Sequence, residues 1–413
     1  MANSGEDAYE EAFKLLVSKL YDEMTATCLA DRRFTKMKTA AQTKQNINTL
    51  LESVAERWPG TLLSTETGLS DDHLEVCVSE IAPLSLLDQN IEIIDDLFEH
   101  LVSADAKGSK GQYFTPRHVI DFAVQLMAPR AGETIVDPSC GSGGFLVHAL
   151  NYSRANTTAT SAKQEAKLWG FDFDPRAVRV ARTLMRIAGA ERPNVYALNS
   201  LVKPRSQELL FAADKADAAT DAAAPTVEAV LNEMVGPSFD GFDVLFANPP
   251  FAGEIREPHI LNSYDVGTGR DAIERDALFF ERCIELVRPG GRFAIVLPHN
   301  KLAGSSWSKL RKWVLRRAKI SIVVGLPRPT FMPHTHQKTA LIVGEKRLQA
   351  NPHPPKSEKI VFAVSDEIGK DHTGRLLVRP GASDFASMWE RADHDLQSIL
   401  DDYTAHMTSR EIA

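Results

Sequence analysis

The chain has 413 residues, more than one typical domain but fewer than three would need, and a formal net charge of −8 with 43% hydrophobic and 25% charged residues. This composition is typical of a soluble globular protein, no apolar stretch is long enough to span a bilayer, and the first residues lack a basic and apolar signal region. We therefore expect a cytoplasmic protein without a membrane segment. The four cysteines lack the paired spacing of a metal site, so we expect free thiols and no metal.

The first hundred residues have the pattern of helices. Apolar side chains recur at helical spacing around Phe13 and again around Phe98. Trp58-Pro59-Gly60 interrupts this pattern, and Ser70 is of the type that caps a helix. We predict a helical N-terminal domain over residues 1–106.

A short polar and aromatic segment follows, with the sequence Gln112, Tyr113, Phe114, Thr115, Pro116 and Arg117. Thr115 and Pro116 have the residue types of a helix cap and a first helical position, and the predicted helix ends at Met127. Free N–H groups at such a helix start can bind a carboxylate. The alternative interpretation is a helix cap without a ligand.

The next unit is a strand followed by a glycine-rich loop. Thr134–Asp137 is a predicted strand that leads into Gly141-Ser142-Gly143-Gly144 and an apolar helix, the opening unit of a Rossmann-like α/β fold. The glycine spacing is not Gly-x-Gly-x-x-Gly, so a dinucleotide diphosphate fits poorly. Asp137 would repel a diphosphate and suits a cationic or hydroxyl-bearing ligand.

Two further strands end in polar residues. Lys167–Asp172 ends in a carboxylate whose two oxygens match the vicinal diol of a ribose, so Asp172 is a candidate ligand residue. Asp174 is better explained as the cap of the next helix. Asn194–Ser200 is the third predicted strand with its tip, which includes Asn199.

The strongest signal for chemistry is the run Asn248-Pro249-Pro250-Phe251, which directly follows the apolar strand Val244–Ala247. The two prolines make a stiff corner. An exocyclic amine is a poor nucleophile because its lone pair is delocalised into the ring, and the side-chain oxygen of Asn248 with the carbonyl oxygen of Pro249 can hold it pyramidal. Phe251 offers a face on which an extruded base stacks. The alternative is a strand end with a proline turn.

Further along, the predicted helix Asp276–Leu286, a turn at Gly290-Gly291 and the strand Arg292–Leu297 continue a parallel sheet. No acidic residue lies between Glu285 and Glu345, and this stretch contains Arg288, Arg292, Lys301, Lys309, Arg311, Lys312, Arg316, Arg317, Lys319, Arg328 and Lys338. We interpret it as a basic face for the phosphate backbone of double-stranded DNA, with a solvated helix and buried tryptophans as the alternative for residues 306–317.

These motifs in this order resemble the amino-methylating DNA methyltransferases that use S-adenosylmethionine. More narrowly, they resemble the methylation subunit of type I restriction-modification systems, which are N6-adenine DNA methyltransferases. The resemblance covers most of residues 90–345, and we assign residues 107–345 to a Rossmann-like methyltransferase domain with a low-complexity insertion at 206–238. Residues 346–413 form a tail with one strand, Lys359–Val364, and a helix, Ser383–Leu400.

The resemblance implies a cofactor, partners and residue roles. It places the segment 112–117 at the methionine end of S-adenosylmethionine. It places Asn199 where the family commonly has an Asp that contacts the adenine amine of the cofactor. It implies methyl transfer to adenine N6, and a helical N-terminal domain that packs on a specificity subunit or closes over DNA. The tail is too small for a DNA-reading domain, so we expect a specificity subunit, and the resemblance adds a restriction (nuclease) subunit and self-association.

Other functions stay open at this point. The acceptor corner cannot distinguish adenine N6 from cytosine N4 or a protein glutamine. A chain that keeps this fold without activity would serve as a DNA-binding assembly module.

Overall fold

The structure is a computed structural model that describes residues 5–87, 94–99, 101, 114–157, 166–204, 225–383 and 386–412. Gln112 and Tyr113, like residues 206–224 of the low-complexity insertion, lie outside these ranges. In the described part of the chain, no helix combines the length and the apolar character needed to cross a membrane.

The α-helices are α1 Gly5–Thr25, α2 Ala40–Arg57, α3 Asp71–Ile81, α4 Arg117–Met127, α5 Gly144–Ala155, α6 Pro175–Ile187, α7 Val227–Met234, α8 Pro258–Leu261, α9 Arg275–Leu286, α10 His299–Ala303, α11 Ser308–Arg317, α12 Met388–Arg391 and α13 Leu396–Ile412. Residues 94–99 are also helical. The strands are β1 Thr134–Asp137, β2 Lys167–Asp172, β3 Asn194–Ala197, β4 Phe242–Ala247, β5 Glu254–Ile255, β6 Ile273–Glu274, β7 Val287–Pro298, β8 Ala318–Leu326, β9 Thr339–Lys346 and β10 Val361–Val364.

Two of the N-terminal helix boundaries lie where the sequence predicts them, at Ser70 and before Trp58. The side chain of Ser70 accepts a hydrogen bond from the N–H of His73 and caps α3. Helix α2 ends at Arg57, immediately before the Trp58-Pro59-Gly60 break. Phe13 of α1 and Phe98 lie edge to face, with 5.6 Å between their ring centroids, so the segment 94–99 packs on the first helix.

Eight strands form one sheet in the order β10-β8-β9-β7-β4-β1-β2-β3. Strand β9 runs antiparallel to both β7 and β8, whereas the other neighbouring pairs are parallel. The inner strands are buried on both faces because helices cover them, and this explains their continuous apolar runs. Each fully buried large apolar side chain here contributes about 1.5–3 kcal/mol to stability.

The sheet reverses its direction of growth between β1 and β4. From β1 the chain moves outward to β2 and β3, and it then returns to place β4 on the other side of β1. Residues Ile135 and Val136 pair with Val244 and Leu245, so the two strands end at the same edge. In open α/β sheets a ligand binds at the carboxyl edge of such a switch point.

Three local predictions are wrong. Pro116, not Thr115, is the cap of α4, and no side chain caps its first N–H groups. The predicted helix Ser383–Leu400 is divided into α12 and α13, because residues between them form bridges with earlier segments. The turn at Gly290-Gly291 lies inside β7, where the pairing with β4 shifts register as a bulge.

The loop after Phe251 is also more structured than its sequence indicates. The loop has few apolar residues, yet Tyr264 is 1% exposed and donates a hydrogen bond from its hydroxyl to the carbonyl of Leu201 at 2.8 Å. Ile255 and Ile273 pair across the ribbon formed by β5 and β6 and are both buried. This loop therefore has a small apolar core of its own.

Candidate active site

The sequence-predicted site residues in the described ranges lie at or just after the carboxyl ends of four neighbouring strands, or at the start of α4. Asp137 ends β1, Asp172 ends β2, Asn199 follows β3 by two residues, and Asn248 follows β4 directly. These strands are consecutive in the sheet, so one edge carries all four side chains. Parallel pairing places them together although they are far apart in sequence.

A buried carboxylate connects the tips of β1 and β2. The backbone N–H of Gly141 donates to Oδ2 of Asp172 at 2.9 Å, and the N–H of Asp174 donates to its Oδ1 at 2.9 Å. Asp172 is 8% exposed, and burial raises the pKa of its carboxyl. Asp174 accepts from the N–H of Arg176, which confirms it as the cap of α6.

Asp137 is the most deeply buried acid of this edge. It is 1% exposed, and its Oδ1 accepts a hydrogen bond from the N–H of Ser139 at 2.9 Å. Burial raises the pKa of Asp137 to about 8, and the nearby Asp172 adds to this shift. Burial also raises the pKa of the Cys140 thiol well above its usual value, which disfavours the thiolate form.

The glycine loop needs its glycines for different physical reasons. Gly141 and Gly143 have φ values of +53° and +91°, a backbone region that other residues rarely adopt. Gly144 has ordinary dihedral angles, but a Cβ there would lie 2.9 Å from Cδ1 of Ile120 and 3.1 Å from Nη1 of Arg117. The loop therefore packs directly against the start of α4.

Arg117 is at the centre of an ion-pair cluster that sequence analysis missed. Its guanidinium is 4% exposed and contacts the carboxylates of Asp95, at 3.0 Å, and Glu99. Glu99 also accepts from the hydroxyl of Ser142 at 3.3 Å, so the cluster joins the segment 94–99, helix α4 and the glycine loop. Burial raises the pKa of Glu99, and the neighbouring Arg117 guanidinium opposes this shift. The acids give no signal in the sequence because they lie on a predicted structural helix.

The other residues of the segment before α4 lie close to the same loop. Thr115 is 7% exposed. The ring of Phe114 approaches Gly141, since a Cβ on that glycine would lie 3.7 Å from its Cε1 atom. Phe114 and Arg117 thus border the glycine loop, and Thr115 and Pro116 lie between them in the chain.

The side chains of Asn199 and Ser200 hold the tip of β3 in place. Oδ1 of Asn199 accepts a hydrogen bond from the N–H of Leu201 at 3.0 Å, so this oxygen already stabilises a turn. The hydroxyl of Ser200 donates to the carbonyl of Pro138 at 2.7 Å and connects this tip to the glycine loop. Asn199 is partly exposed.

The Asn248-Pro249-Pro250-Phe251 corner leaves β4 at the switch point. Asn248 and Pro250 are partly exposed, and Pro249 is buried. Phe251 is 7% exposed, and its ring meets the ring of Phe331 edge to face, with centroids 5.3 Å apart and planes at 84°. Phe331, at the carboxyl edge after β8, is a second residue that sequence analysis missed.

The basic run does not form a single face. Arg288 and Arg292 lie on the first half of β7, towards the opposite edge of the sheet, where they form ion pairs with Asp243 and Glu133. Lys301 is buried, whereas Lys309, Lys312, Arg316 and Lys319 are exposed along α11 and the start of β8. Arg328 and Lys338 are exposed at the carboxyl edge. The prediction of one continuous basic face is therefore wrong.

One family profile matches most of the chain. The profile described as N-6 DNA Methylase matches residues 89–412. The chain belongs to the N-6 DNA methylase family. This family membership confirms the resemblance that the glycine loop and the Asn248-Pro249-Pro250-Phe251 corner indicate.

Curated relatives of this N-6 DNA methylase family member include subunits of restriction enzymes. The EcoEI methylase subunit of a type I restriction enzyme from Escherichia coli is 28% identical over 260 residues, which are 62% of this chain and 46% of that protein. The EcoKI methylase subunit from Escherichia coli strain K12 is 26% identical over 272 residues, 63% of this chain and 46% of the relative. The chain spans about half the length of these relatives.

Solved structures of methyltransferases share the fold of this N-6 DNA methylase family member. The methyltransferase subunit of a type I restriction-modification system from Streptococcus thermophilus has a TM-score of 0.56 and 19% identity, and the match covers 96% of this chain and 74% of that one. A putative class I S-adenosylmethionine-dependent methyltransferase from Listeria monocytogenes has a TM-score of 0.53 and 14% identity, with 86% and 92% covered. The fold is that of S-adenosylmethionine-dependent methyltransferases, with an N-terminal helical region.

Proposed function

We propose that this chain transfers a methyl group from S-adenosylmethionine to N6 of adenine in DNA, as the modification subunit of a restriction-modification complex. The observation that carries this proposal is the position of Asn248-Pro249-Pro250-Phe251 at the switch point, next to the strand that ends in Asp137. Family membership and the type I methylase subunits among the relatives support it.

The residues around the glycine loop fit S-adenosylmethionine. Asp137 and Asp172 are buried acids with raised pKa values, so a cationic ligand with hydroxyl groups gains more here than an anionic one. Asp172 would accept from ribose hydroxyls, Asp137 would face the cationic part, and Asn199 would contact the adenine ring of the cofactor. Residues 112–117 and the loop 141–144 would enclose its methionine end. When bound, S-adenosylmethionine supplies a methyl group on an electrophilic sulfonium.

The corner residues would prepare the target amine. The side-chain oxygen of Asn248 and the carbonyl oxygen of Pro249 accept the two hydrogens of the adenine amine, so that its nitrogen becomes pyramidal and its lone pair projects from the ring plane. Pro249 and Pro250 keep these oxygens in place before substrate arrives, which avoids an entropic cost at the moment of reaction. Phe251 stacks on the extruded base, and Phe331 supports Phe251 from its edge.

We also propose the partners and the domain division. Double-stranded DNA is the substrate, a specificity subunit selects the target sequence, and a restriction subunit and a second copy of this chain complete the assembly. Residues 1–106 form the helical domain, 107–345 the methyltransferase domain with its insertion at 206–238, and 346–413 the tail. A helical segment before α4 that is tied to the glycine loop through Arg117 supports a role of the N-terminal domain near the cofactor.

The decisive experiment compares Asn248→Ala with the unaltered chain, each co-expressed with the genomic neighbours of its gene. Mass spectrometry of digested cellular DNA distinguishes N6-methyladenine from N4-methylcytosine, and binding of S-adenosylmethionine is measured on the purified protein. We expect N6-methyladenine only with the unaltered chain and equal cofactor affinity for both. Asn248→Asp still places an acceptor oxygen at this position and serves as the matched variant with residual activity.

Two results would contradict the proposal. Equal methylation by Asn248→Ala would remove the corner from the mechanism. Absence of any methylated base with the unaltered chain, together with methyl transfer to a glutamine peptide, would favour the protein substrate. DNA affinity that falls steeply with salt supports a nucleic acid substrate, since phosphate contacts release counterions.

A further inference from the structure

Lys301 is a fully buried lysine at the carboxyl edge of the sheet. It lies in α10, which directly follows β7, and its side chain is 0% exposed. Its ammonium forms ion pairs with Glu274 and with Asp276, the latter at 3.1 Å, and lies 4.7 Å from the ring centroid of Trp307. Burying an ammonium is costly unless it is paired with opposite charges, so the Lys301 side chain depends on Glu274 and Asp276 in this position.

Glu274 and Asp276 flank Arg275, which contacts the chain just after the Asn248-Pro249-Pro250-Phe251 corner. Arg275 lies between them, and its N–H donates to the carbonyl of Gly253 at 3.0 Å. Its guanidinium packs over the same glycine, where a Cβ would lie 3.2 Å from Nη2. Glu274 also pairs with Glu254 in the ribbon of β5 and β6.

The chain from Asn248 to Gly253 is therefore an arch with two supports. One end is fixed by β4, whose last residue, Ala247, pairs with Ile295 of β7. The other end is fixed by residues 273–276, which Lys301 holds from the end of the same strand β7. Phe251 lies two residues before Gly253, close to the second support.

We propose that Lys301 is a positioning residue for the target base, because its ion pairs with Glu274 and Asp276 fix the segment that carries Phe251. This inference rests on the proposed function. Lys301 does not touch the base or the cofactor and acts through the arch. A displacement of a stacking ring by about 1 Å can reduce a rate about 100-fold without loss of the fold.

Helix α9, which begins at Arg275, offers a matched control at its other end. Lys346 donates to the carbonyl oxygens of Glu285, at 3.0 Å, and Val287, at 2.6 Å, where α9 ends. Burial lowers the pKa of Lys346. Lys301→Met and Lys346→Met thus remove a lysine ammonium from opposite ends of α9, and only the first removes a support of the arch.

The test measures kcat and KM for DNA, affinity for S-adenosylmethionine, thermal unfolding and amide hydrogen exchange across residues 251–257, with the chain in complex with its specificity partner. We expect both variants to lose stability and to bind the cofactor equally well. Lys301→Met should lower kcat at least tenfold and increase exchange in this segment, on the scale that misplacement of a reacting group produces. Lys346→Met should change neither.

Several outcomes would overturn the inference. Unaltered kcat and exchange in Lys301→Met would do so, as would equal losses of kcat in both variants. If Lys301→Met does not fold, Glu274→Gln is the second variant: it removes one ion pair at a side chain that is 42% exposed, so we expect it to fold, and it must then lower kcat. Hydrogen exchange needs no chemistry, so loss of protection in Lys301→Met with an inactive unaltered chain would contradict the proposed function alone.

Discussion

The carboxylate of Asp172 accepts a hydrogen bond from the backbone N–H of Gly141, with 2.9 Å between Oδ2 and the nitrogen. One side chain at the tip of β2 therefore determines the conformation of the loop after β1. Its second oxygen holds the N–H of Asp174, so both oxygens have structural donors before any ligand binds. A ribose hydroxyl would use the remaining lone pairs of the same carboxylate.

We expect Asp172→Ala to lose affinity for S-adenosylmethionine and about 1–3 kcal/mol of stability for each buried N–H left without an acceptor. Isothermal calorimetry with the cofactor and thermal unfolding measure the two effects. Asp174→Ala removes the cap of α6, costs about 1 kcal/mol and should keep full cofactor affinity. Equal affinities of the Asp172→Ala variant and the unaltered chain would exclude the ribose role.

The pKa of Asp137 predicts how cofactor affinity depends on pH. Burial raises this pKa to about 8, so the carboxyl is largely protonated at neutral pH without ligand. A cationic ligand favours the ionised form, and affinity for S-adenosylmethionine should therefore rise with pH until it levels off above about 8. Calorimetry across this range checks the slope, and Asp137→Asn should reduce it. An equal slope in both proteins would assign the dependence to another group, such as Glu99.

The same shift has a consequence for stability without cofactor. The pKa of Asp137 is about 8 in the folded state and about 3.9 in the unfolded chain, so this carboxyl increases the free energy of unfolding at low pH. The contribution is complete below the unfolded pKa and is lost as the pH rises from there through the folded pKa. Saturating S-adenosylmethionine should remove this loss, because the bound cation compensates the ionised carboxylate.

Two exposed cations at the carboxyl edge are candidates for contact with DNA. Arg328 follows β8 and Lys338 precedes β9, so both lie on the edge that carries Asn248. Arg328→Gln and Lys338→Gln should each weaken DNA binding of the complex and reduce its salt slope by about one. Fluorescence anisotropy in a salt titration measures both quantities.

Arg292→Gln is the control for these two cations. Arg292 comes from the same acid-free run, but it donates to the carbonyls of Met127 and Ala128 and pairs with Glu133 at 2.7 Å. Its loss should lower the melting temperature and leave the salt slope unchanged. A slope that changes equally in all three variants would mean that DNA wraps both edges of the sheet.

The sequence was sufficient for the strands of the site and insufficient for its ion pairs. Strands Thr134–Asp137 and Lys167–Asp172 have the predicted bounds, because a continuous apolar run that ends in a carboxylate has few other structures in an α/β protein. Arg292 and Lys301 looked like free cations, because their partners lie 159 and 27 residues away and each partner acid is ordinary in its own context.

The aromatic support and the arginine cluster illustrate the same limit. Phe331 meets Phe251 only through the adjacency of the loops after β8 and β4, which depends on the strand order. Asp95 and Glu99 lie on the core-facing side of a helical segment, where a carboxylate is explained only by its partner, Arg117. Strand order and the faces of packed helices are tertiary properties, so periodicity along the chain does not determine them.

The contact between Gly144 and Arg117 predicts that a methyl group added at position 144 would affect ligand binding. A Cβ at position 144 would lie 2.9 Å from Ile120, 3.1 Å from the guanidinium of Arg117 and 3.8 Å from Asp95. Because Arg117 is held by Asp95 and Glu99, it cannot move without breaking ion pairs. Gly144→Ala should therefore cost about 1–3 kcal/mol through overpacking and should also weaken S-adenosylmethionine binding.

Gly236→Ala separates these two effects. Gly236 has a φ of +101°, and among the described residues no atom beyond Gly236 and its two chain neighbours would lie within 4 Å of a Cβ at this position, so alanine there is strained but meets no packing partner. Both variants should unfold at lower temperature, whereas calorimetry should show weaker cofactor binding only for Gly144→Ala, because only that methyl group displaces the side chain that orders the start of α4 against the glycine loop. If the two variants bind the cofactor equally well, Arg117 stabilises the fold without shaping the ligand site.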